Sequence, residues 1–297
     1  MLYSPGSIKP NILVCGDCLE VMAGIPDKSI DLICTDLPYG QTARNPWDIR
    51  LPMQDYVAAD DLIREFSQEK ERNCAKKPWL YLEDMEGEIQ KQFFRQCSRP
   101  GLWSHYERVI KDHGCIILFG NGMFTADLMH SNRKLWRYNL VWHKTHPVGF
   151  LNANRMPLRS HEDLCVFYKK LPPYHPQKTD GHPRKVSLAK HQKSRDSSNY
   201  HEIGTNSYDS TERFPTSILT FANDKQRCAM HPTQKPAALI EYLIRTYTDE
   251  GGTILDSCAG VMTTAVAAVR TERKYICIEK DQVYYGLGCR RMQEEFQ

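Results

Sequence analysis

The segment from Thr253 to Glu279 constrains the fold more than any other. It reads as a short apolar run, Thr253-Ile254-Leu255, closed by Asp256. A small-residue turn, Ser257-Cys258-Ala259-Gly260, leads into an alanine-rich helix ending near Arg270, and a second strand, Tyr275 to Ile278, is closed by Glu279. Strand, helix, strand at this spacing is a βαβ unit, and parallel neighbours need such a crossover. An acid about 20 positions after a glycine turn is the pattern that holds the ribose hydroxyls of a nucleoside. Any βαβ turn can require a glycine, so a nucleoside site and a purely structural turn both remain open.

The same alternation runs through the rest of the chain. Strands are expected at Asn11–Val14, Ile30–Thr35, Cys115–Phe119, Leu140–Trp142, Leu164–Tyr168 and Ser217–Phe221. Helices are expected at Leu19–Ile25, Asp60–Arg72, Glu83–Gln96, Trp103–Lys111, Phe124–Met129, Pro236–Tyr247 and Tyr284–Glu294. Alternating elements of this kind predict an α/β fold with a mostly parallel sheet flanked by helices. Leu171 to Thr211 is rich in Pro, His, Lys, Ser and Asn and reads as a long loop or small irregular lobe.

The strand Ile30–Thr35 ends in Asp36-Leu37-Pro38-Tyr39. An exocyclic amine on an aromatic base is a weak nucleophile, because its lone pair is delocalised into the ring. A carboxylate and a nearby backbone carbonyl can accept its two N–H bonds and favour the pyramidal nitrogen of the transition state. A neighbouring aromatic ring can stack on the base, and the proline stiffens the turn. A strand end followed by an ordinary turn uses the same residues, so the block carries no chemistry by itself.

Charge is uneven. The net charge is +3, yet Arg133 to Arg195 holds 14 Lys or Arg against 3 acids, which leaves the remainder at −8. A basic span on an acidic body suits a polyanion, and equally a solvated loop. The 11 cysteines are an odd number, which argues against a disulfide framework. Cys34, Cys115, Cys165 and Cys277 lie in apolar strand-like runs and are expected to be buried. Cys15 and Cys18 form one Cys-x-x-Cys pair without a matching second pair, so no metal site is expected. No apolar run approaches the roughly 20 residues of a membrane helix, and no signal pattern precedes Pro10, so a cytoplasmic protein is expected.

Taken in order, the blocks are Gly16-Asp17-x-Leu19-Glu20, Thr35 to Gly40, Asn152 to Tyr168 (N-A-N-R-M-P-L-R-S-H-E-D-L-C-V-F-Y), His231-Pro232-Thr233-Gln234-Lys235-Pro236, Leu255 to Thr264, and Ile278-Glu279-Lys280-Asp281. In this order the chain resembles the amino-methyltransferases of DNA with circularly permuted (beta) motifs, over all but about Trp47–Gly101 and Pro172–Arg213. The resemblance implies a Rossmann-like methyltransferase fold, S-adenosylmethionine as cofactor and double-stranded DNA as partner, with no metal required and a homodimer conceivable. It implies the chemistry used in restriction-modification, and an Asp at position 36 resembles the adenine-N6 members, Ser being commoner in the cytosine-N4 members. RNA methylation, or a non-catalytic DNA-binding relative, are the competing expectations.

The resemblance also assigns residues. Asp36, with Leu37 and Pro38 through their backbone, holds the target amine, and Tyr39 stacks on the extruded base. Asp17, His231, Thr233, Lys235, Asp256, Ser257, Ala259, Gly260, Thr263, Thr264 and Glu279 surround the cofactor. Lys144, Arg155, Arg159, Lys169, Lys170, Arg184, Lys185, Lys190, Lys193 and Arg195 are candidate phosphate contacts. One catalytic domain, 1–297, is expected to carry a helical insertion at 47–101, a target-recognition region at 150–214 and the cofactor motifs at 228–297. Two positions depart from the family pattern. Leu37 replaces the first proline of the catalytic block, and Val261-Met262 replace a Ser-Gly pair in the cofactor loop. A bulky Met where glycine is usual is expected to narrow the pocket or force another turn.

Overall fold

The computed structural model describes residues 3–4, 6–40, 50–57, 98–189, 206–223 and 234–296. The expected insertion helices at Asp60–Arg72 and Glu83–Gln96 lie outside them, as do His231, Thr233, Lys190, Lys193 and Arg195.

The elements follow in chain order. β1 (Ile12–Cys15), α1 (Cys18–Met22) and β2 (Ile30–Thr35) come first, then the short strands β3 (Tyr56–Val57) and β4 (Ser98–Arg99). Next are α2 (Leu102–Val109), β5 (Ile110–Gly120), α3 (Met123–Ser131), β6 (Trp136–Val148) and β7 (Arg159–Phe167). The strands β8 (Lys185–Ser187), β9 (Tyr208–Ser210) and β10 (Ile218–Phe221) precede α4 (Ala237–Tyr247), β11 (Thr253–Asp256), α5 (Thr263–Arg270), β12 (Lys274–Glu279) and α6 (Gln282–Phe296).

Eight strands form one sheet in the order β1-β12-β11-β2-β5-β7-β6-β10. All its pairings are parallel except those of β7, which runs against both β5 and β6. Both faces are covered, which is why the central strands read as continuous apolar runs. In β5, Ile116 and Leu118 face the core shared with α1, α2 and α3. Cys115, Ile117 and Phe119 face the core shared with α4. That is the two-residue period of a strand buried on both sides. The four strand cysteines are buried as expected. β3 and β4 pair antiparallel, and the chain after β4 is fastened by Leu102 N–H to Pro52 O at 2.9 Å. Among the described residues no helix is long and apolar enough to cross a membrane.

Three strands extend well beyond the sequence expectation. β5 begins at Ile110 rather than Cys115, because Lys111, Asp112 and His113 at its start are partly exposed and break the apolar pattern. β6 and β7 form a long hairpin whose polar residues conceal it, so only the cores Leu140–Trp142 and Leu164–Tyr168 were legible. The irregular stretch 171–211 contains the small antiparallel pair β8–β9.

The unusual cofactor-loop residue has a clear packing consequence. Met262 sits in the left-handed region (φ 61°, ψ 32°) at the start of α5 and is fully buried. Its side chain packs with Ala259, Ala265 and Cys277, away from the cavity described below. The turn geometry normally given to glycine is therefore kept, at a cost of roughly 1 kcal/mol, and burial of the thioether offsets it. The packing requires a glycine opposite: a Cβ on Gly288 of α6 would lie 2.3 Å from Met262 Cγ. Gly288→Ala is therefore expected to destabilise the fold by about 1–3 kcal/mol. Adding Met262→Gly should recover most of the loss in a urea titration, and additive losses would reject the coupling.

Candidate active site

A cavity of about 760 Å³ opens at the C-terminal edge of the sheet, where β11 and β2 lie side by side. From β11 the chain crosses to β12 on one side, and from β2 to β5 on the other. Such a switch point leaves a crevice between diverging connections.

At one end stand the residues following β11 and β12. Glu279 accepts the Gly260 N–H on one oxygen (2.7 Å) and the Asp281 N–H on the other (2.8 Å). Gly260 adopts φ +52°, and those bonds fix the acid at the cavity wall. Asp17 caps α1 through the Leu19 N–H at 3.0 Å and pairs with Lys280 at 2.9 Å. Asp256 is buried and accepts from Thr35 Oγ1 (2.7 Å), Thr264 Oγ1 (2.5 Å) and the Cys258 N–H (3.1 Å). Ser257 hydrogen-bonds Tyr106 at 2.7 Å, and Thr263 accepts from Arg291 at 2.8 Å. Asp17, Asp256, Ser257, Ala259, Gly260, Thr263, Thr264 and Glu279 all line the same cavity.

Burial pushes the Asp256 carboxyl up to about 6, against the three hydrogen bonds that favour its ionised form. The folded state thus holds this proton more tightly than the unfolded chain, whose ordinary value is 3.8. Ionised Asp256 costs stability above pH 6, and that cost vanishes below about pH 4. The stability gap between Asp256→Asn and the native chain is expected to shift in the variant's favour by on the order of 3 kcal/mol from pH 4 to pH 7. A gap independent of pH in denaturant titrations would mean that the carboxyl titrates normally.

At the other end is Asp36, just past β2. Its Oδ1 accepts the Tyr39 hydroxyl at 3.0 Å and its Oδ2 meets Lys235 Nζ at 2.8 Å. Lys235 also reaches Glu162 of β7 at 2.9 Å, and Glu162 in turn meets Lys144 of β6 at 2.5 Å. The result is a four-residue chain of alternating charge, with Lys235 5.0 Å above the Phe119 ring and Lys144 4.9 Å above Trp142. Burial raises the Asp36 carboxyl above its usual range despite the opposing pull of Lys235. Burial also acts to raise Glu162, but Lys235 and Lys144 outweigh it and hold that acid below its usual range. Burial acts to lower Lys235, and its two carboxylates outweigh it, so the ammonium is held firmly protonated. Burial keeps the Tyr39 phenol a hydrogen-bond donor, and its ring stacks on Phe124 with centroids 4.5 Å apart. Leu37 and Pro38 also line the cavity.

Lys235 thus stands against Asp36 rather than among the residues around Glu279. The expected phosphate contacts also separate. Lys144 is buried against Glu162. Lys169 and Lys170 pair with Asp112 near the start of β5 (3.6 and 3.3 Å), at the edge of the sheet opposite the cavity, because β7 runs backwards. Arg184 pairs with Asp209 between β8 and β9, beside exposed Lys185. Arg159, at the start of β7, lines the cavity and is exposed, and Arg155 is exposed in the loop before it. Cys15 is exposed while Cys18 is buried, and no group of three or more potential metal ligands occurs among the described residues.

Glu162 was missed from sequence, although a signal exists. Period two places it on the same face as buried Leu164 and Val166, an inward carboxylate that needs a cation. Lys144 stands in the same relation to Trp142. Gln234 is buried at the cavity with its Oε1 lacking a partner among the described residues, a further acceptor available to a ligand.

A Rossmann-like sheet with Glu279 at one end of its crevice and Asp36 at the other is the fold and site of a methyltransferase family. The chain belongs to the DNA methylase family of N6 and N4 methyltransferases, whose model matches residues 30–288. It is similar to the type II methyltransferase M.HinfI of Haemophilus influenzae, 24% identical over 293 residues, covering 96% of this chain and 68% of the relative. Among solved structures, the PvuII cytosine-N4-specific DNA methyltransferase matches with a TM-score of 0.57 at 14% identity, over 100% of this chain and 88% of that one. The M1.HpyAVI complex with S-adenosylmethionine matches with 0.52 at 17% identity, over 94% and 98%. These likenesses establish the fold.

Proposed function

We propose that the chain transfers a methyl group from S-adenosylmethionine to N6 of adenine in double-stranded DNA. The observation that carries this reading is that Asp36 and Glu279 line one cavity, so an amine acceptor and a nucleoside-binding acid face common space. S-adenosylmethionine is the methyl donor, and its sulfonium is a leaving group that needs no covalent enzyme intermediate. The cavity fits it: Glu279 is fixed by two backbone N–H groups with lone pairs to spare for hydroxyls, and Asp256 supplies a buried negative charge above pH 6. Asp17, Gly260, Thr263 and Thr264 complete that half, while residues 150–214 form the target-recognition region and 47–101 an insertion.

The chain's own work lies at Asp36. Its carboxylate, with the carbonyls beside Leu37 and Pro38, orients the amine and draws on both N–H bonds. Raised basicity makes it a strong acceptor and a ready neighbour for the proton leaving the methylated nitrogen. Lys235 holds the carboxylate in place through Oδ2, leaving Oδ1 to be shared with Tyr39. A base in a duplex cannot reach this depth, so it must leave the stack, and Tyr39 is the ring placed to receive it. Asp rather than Ser at position 36 favours adenine.

The test is transfer of labelled methyl from S-adenosylmethionine into unmethylated duplex DNA, followed by nucleoside analysis. N6-methyladenine is expected. N4-methylcytosine would replace the base assignment, and label entering RNA alone would overturn the DNA reading.

A further inference from the structure

The tip of the β6–β7 hairpin is apolar and bare. Phe150 is 80% exposed and Leu151 99%, so both side chains stand largely in solvent. Exposed large apolar groups side by side are unusual on a water-facing loop and mark a contact surface. The loop is held in shape. Gly149 takes φ +94°, Phe150–Asn152 form a single 3₁₀ turn, and the N–H groups of Asn152, Ala153, Arg155 and Met156 all bond carbonyls within the loop at 2.9–3.0 Å. A stiff turn keeps two greasy side chains forward at little further entropic cost on binding.

Its position is equally specific. The loop springs from Val148 and Arg159, which pair across the hairpin and both line the cavity. Phe150 is two residues beyond Val148, within roughly 7 Å of chain at strand spacing. The apolar tip therefore stands at the mouth through which a base would enter. The surrounding charge selects the partner: from Lys144 to Arg159 the sequence contains no acid. Arg155 and Arg159 are exposed and form no ion pair with a described residue. A cationic rim about an apolar point fits a polyanion with an apolar interior, which a stacked duplex is.

We propose that Phe150 and Leu151 form a wedge that enters the DNA stack and occupies the gap left by the extruded base, with Arg155 and Arg159 on the flanking phosphates. Apolar wedges between base steps are a known means of holding an opened duplex. This rests on the DNA-methylating function proposed above and adds to it the device that opens the substrate.

The site is first read from DNA methylated by the wild-type enzyme, and a synthetic duplex carrying it is made with a matched partner or an abasic residue opposite the target base. The Phe150→Ser/Leu151→Ser variant is then compared with wild type in single-turnover methylation. Both side chains are exposed, so its melting temperature should match wild type. Losing a wedge that offsets unstacking should slow the matched duplex at least about tenfold, since each 1.4 kcal/mol of a few is a factor of ten. The abasic duplex, already open, should be methylated at close to the wild-type rate. Equal slowing on both duplexes, or on neither, overturns the wedge while leaving the methyltransferase reading intact. A variant that turns a dimer into a monomer in sedimentation with its methylation unchanged also overturns it, by assigning the patch to a second copy. Absence of any label in DNA with the wild-type enzyme sinks the methyltransferase reading itself.

Discussion

Asp36→Ala is expected to reduce methyl transfer by at least about a hundredfold, the scale for deleting one preorganised group that acts on developing charge, while S-adenosylmethionine binds as before. The reason is the separation of labour within the cavity. Asp36 meets Tyr39 and Lys235 and none of the groups bonded to Glu279 or Asp256. In the proposed mechanism its loss removes the acceptor for the amine and leaves the other end intact. Equilibrium titration of the cofactor, beside single-turnover transfer, separates the two effects. A variant that transfers at the native rate would displace Asp36 from the chemistry, and a variant that loses cofactor binding would mean the two ends are not independent.

Lys235→Met is expected to be the most damaging single change to stability. It leaves Asp36 and Glu162 facing each other in a buried site without the cation between them. Breaking a buried pair in this way costs about 3–5 kcal/mol. The pH dependence follows from the directions of the shifts. Lys235 is raised above its ordinary 10.5, so its contribution is complete below that value and lost as pH rises past it. Glu162 is lowered from 4.5, so its contribution is complete above that value and lost as pH falls. Both contributions are present across the interval between them, against a cost from ionised Asp36, whose carboxyl is raised, and the variant should be worst there. Asp36, already raised, should rise further without its cation. The acid limb of the rate profile should then move to higher pH, because the acceptor must be ionised. A stable variant with an unmoved acid limb would show that Lys235 does not govern the carboxylate.

The βαβ unit from Thr253 to Glu279 was legible because its signals are local. Strand ends at Asp256 and Glu279, the turn at Gly260 and the helix after it each follow from adjacent residues, and the observed boundaries differ by one residue at most for the two strands. The ion-pair chain was not legible, since Glu162 and Lys235 come from distant parts of the sequence and meet only when β7 is placed two strands from β2. Strand direction hid the rest. The basic span read as one surface, but the reversal of β7 takes Lys169 and Lys170 to the far edge while Arg159 stays at the cavity. The Val261-Met262 substitution looked like an obstruction in the pocket, and only the packing against Gly288 shows the methionine turned inward.

The position of β1 carries a consequence for how the protein is made. This strand, Ile12–Cys15, precedes the other described strands in the sequence, and among the described residues its one neighbour in the sheet is β12, Lys274–Glu279. Asn11 and Tyr275, 264 positions apart, are joined by hydrogen bonds in both directions. β1 has no partner in the described sheet until β12 has been made, and closing so long a loop is slow. A chain cut short before β11 leaves β1 without its partner and lacks Asp256 and Glu279, two residues of the cavity wall. Truncation at that point should therefore yield fragments for proteases to clear rather than partial enzymes.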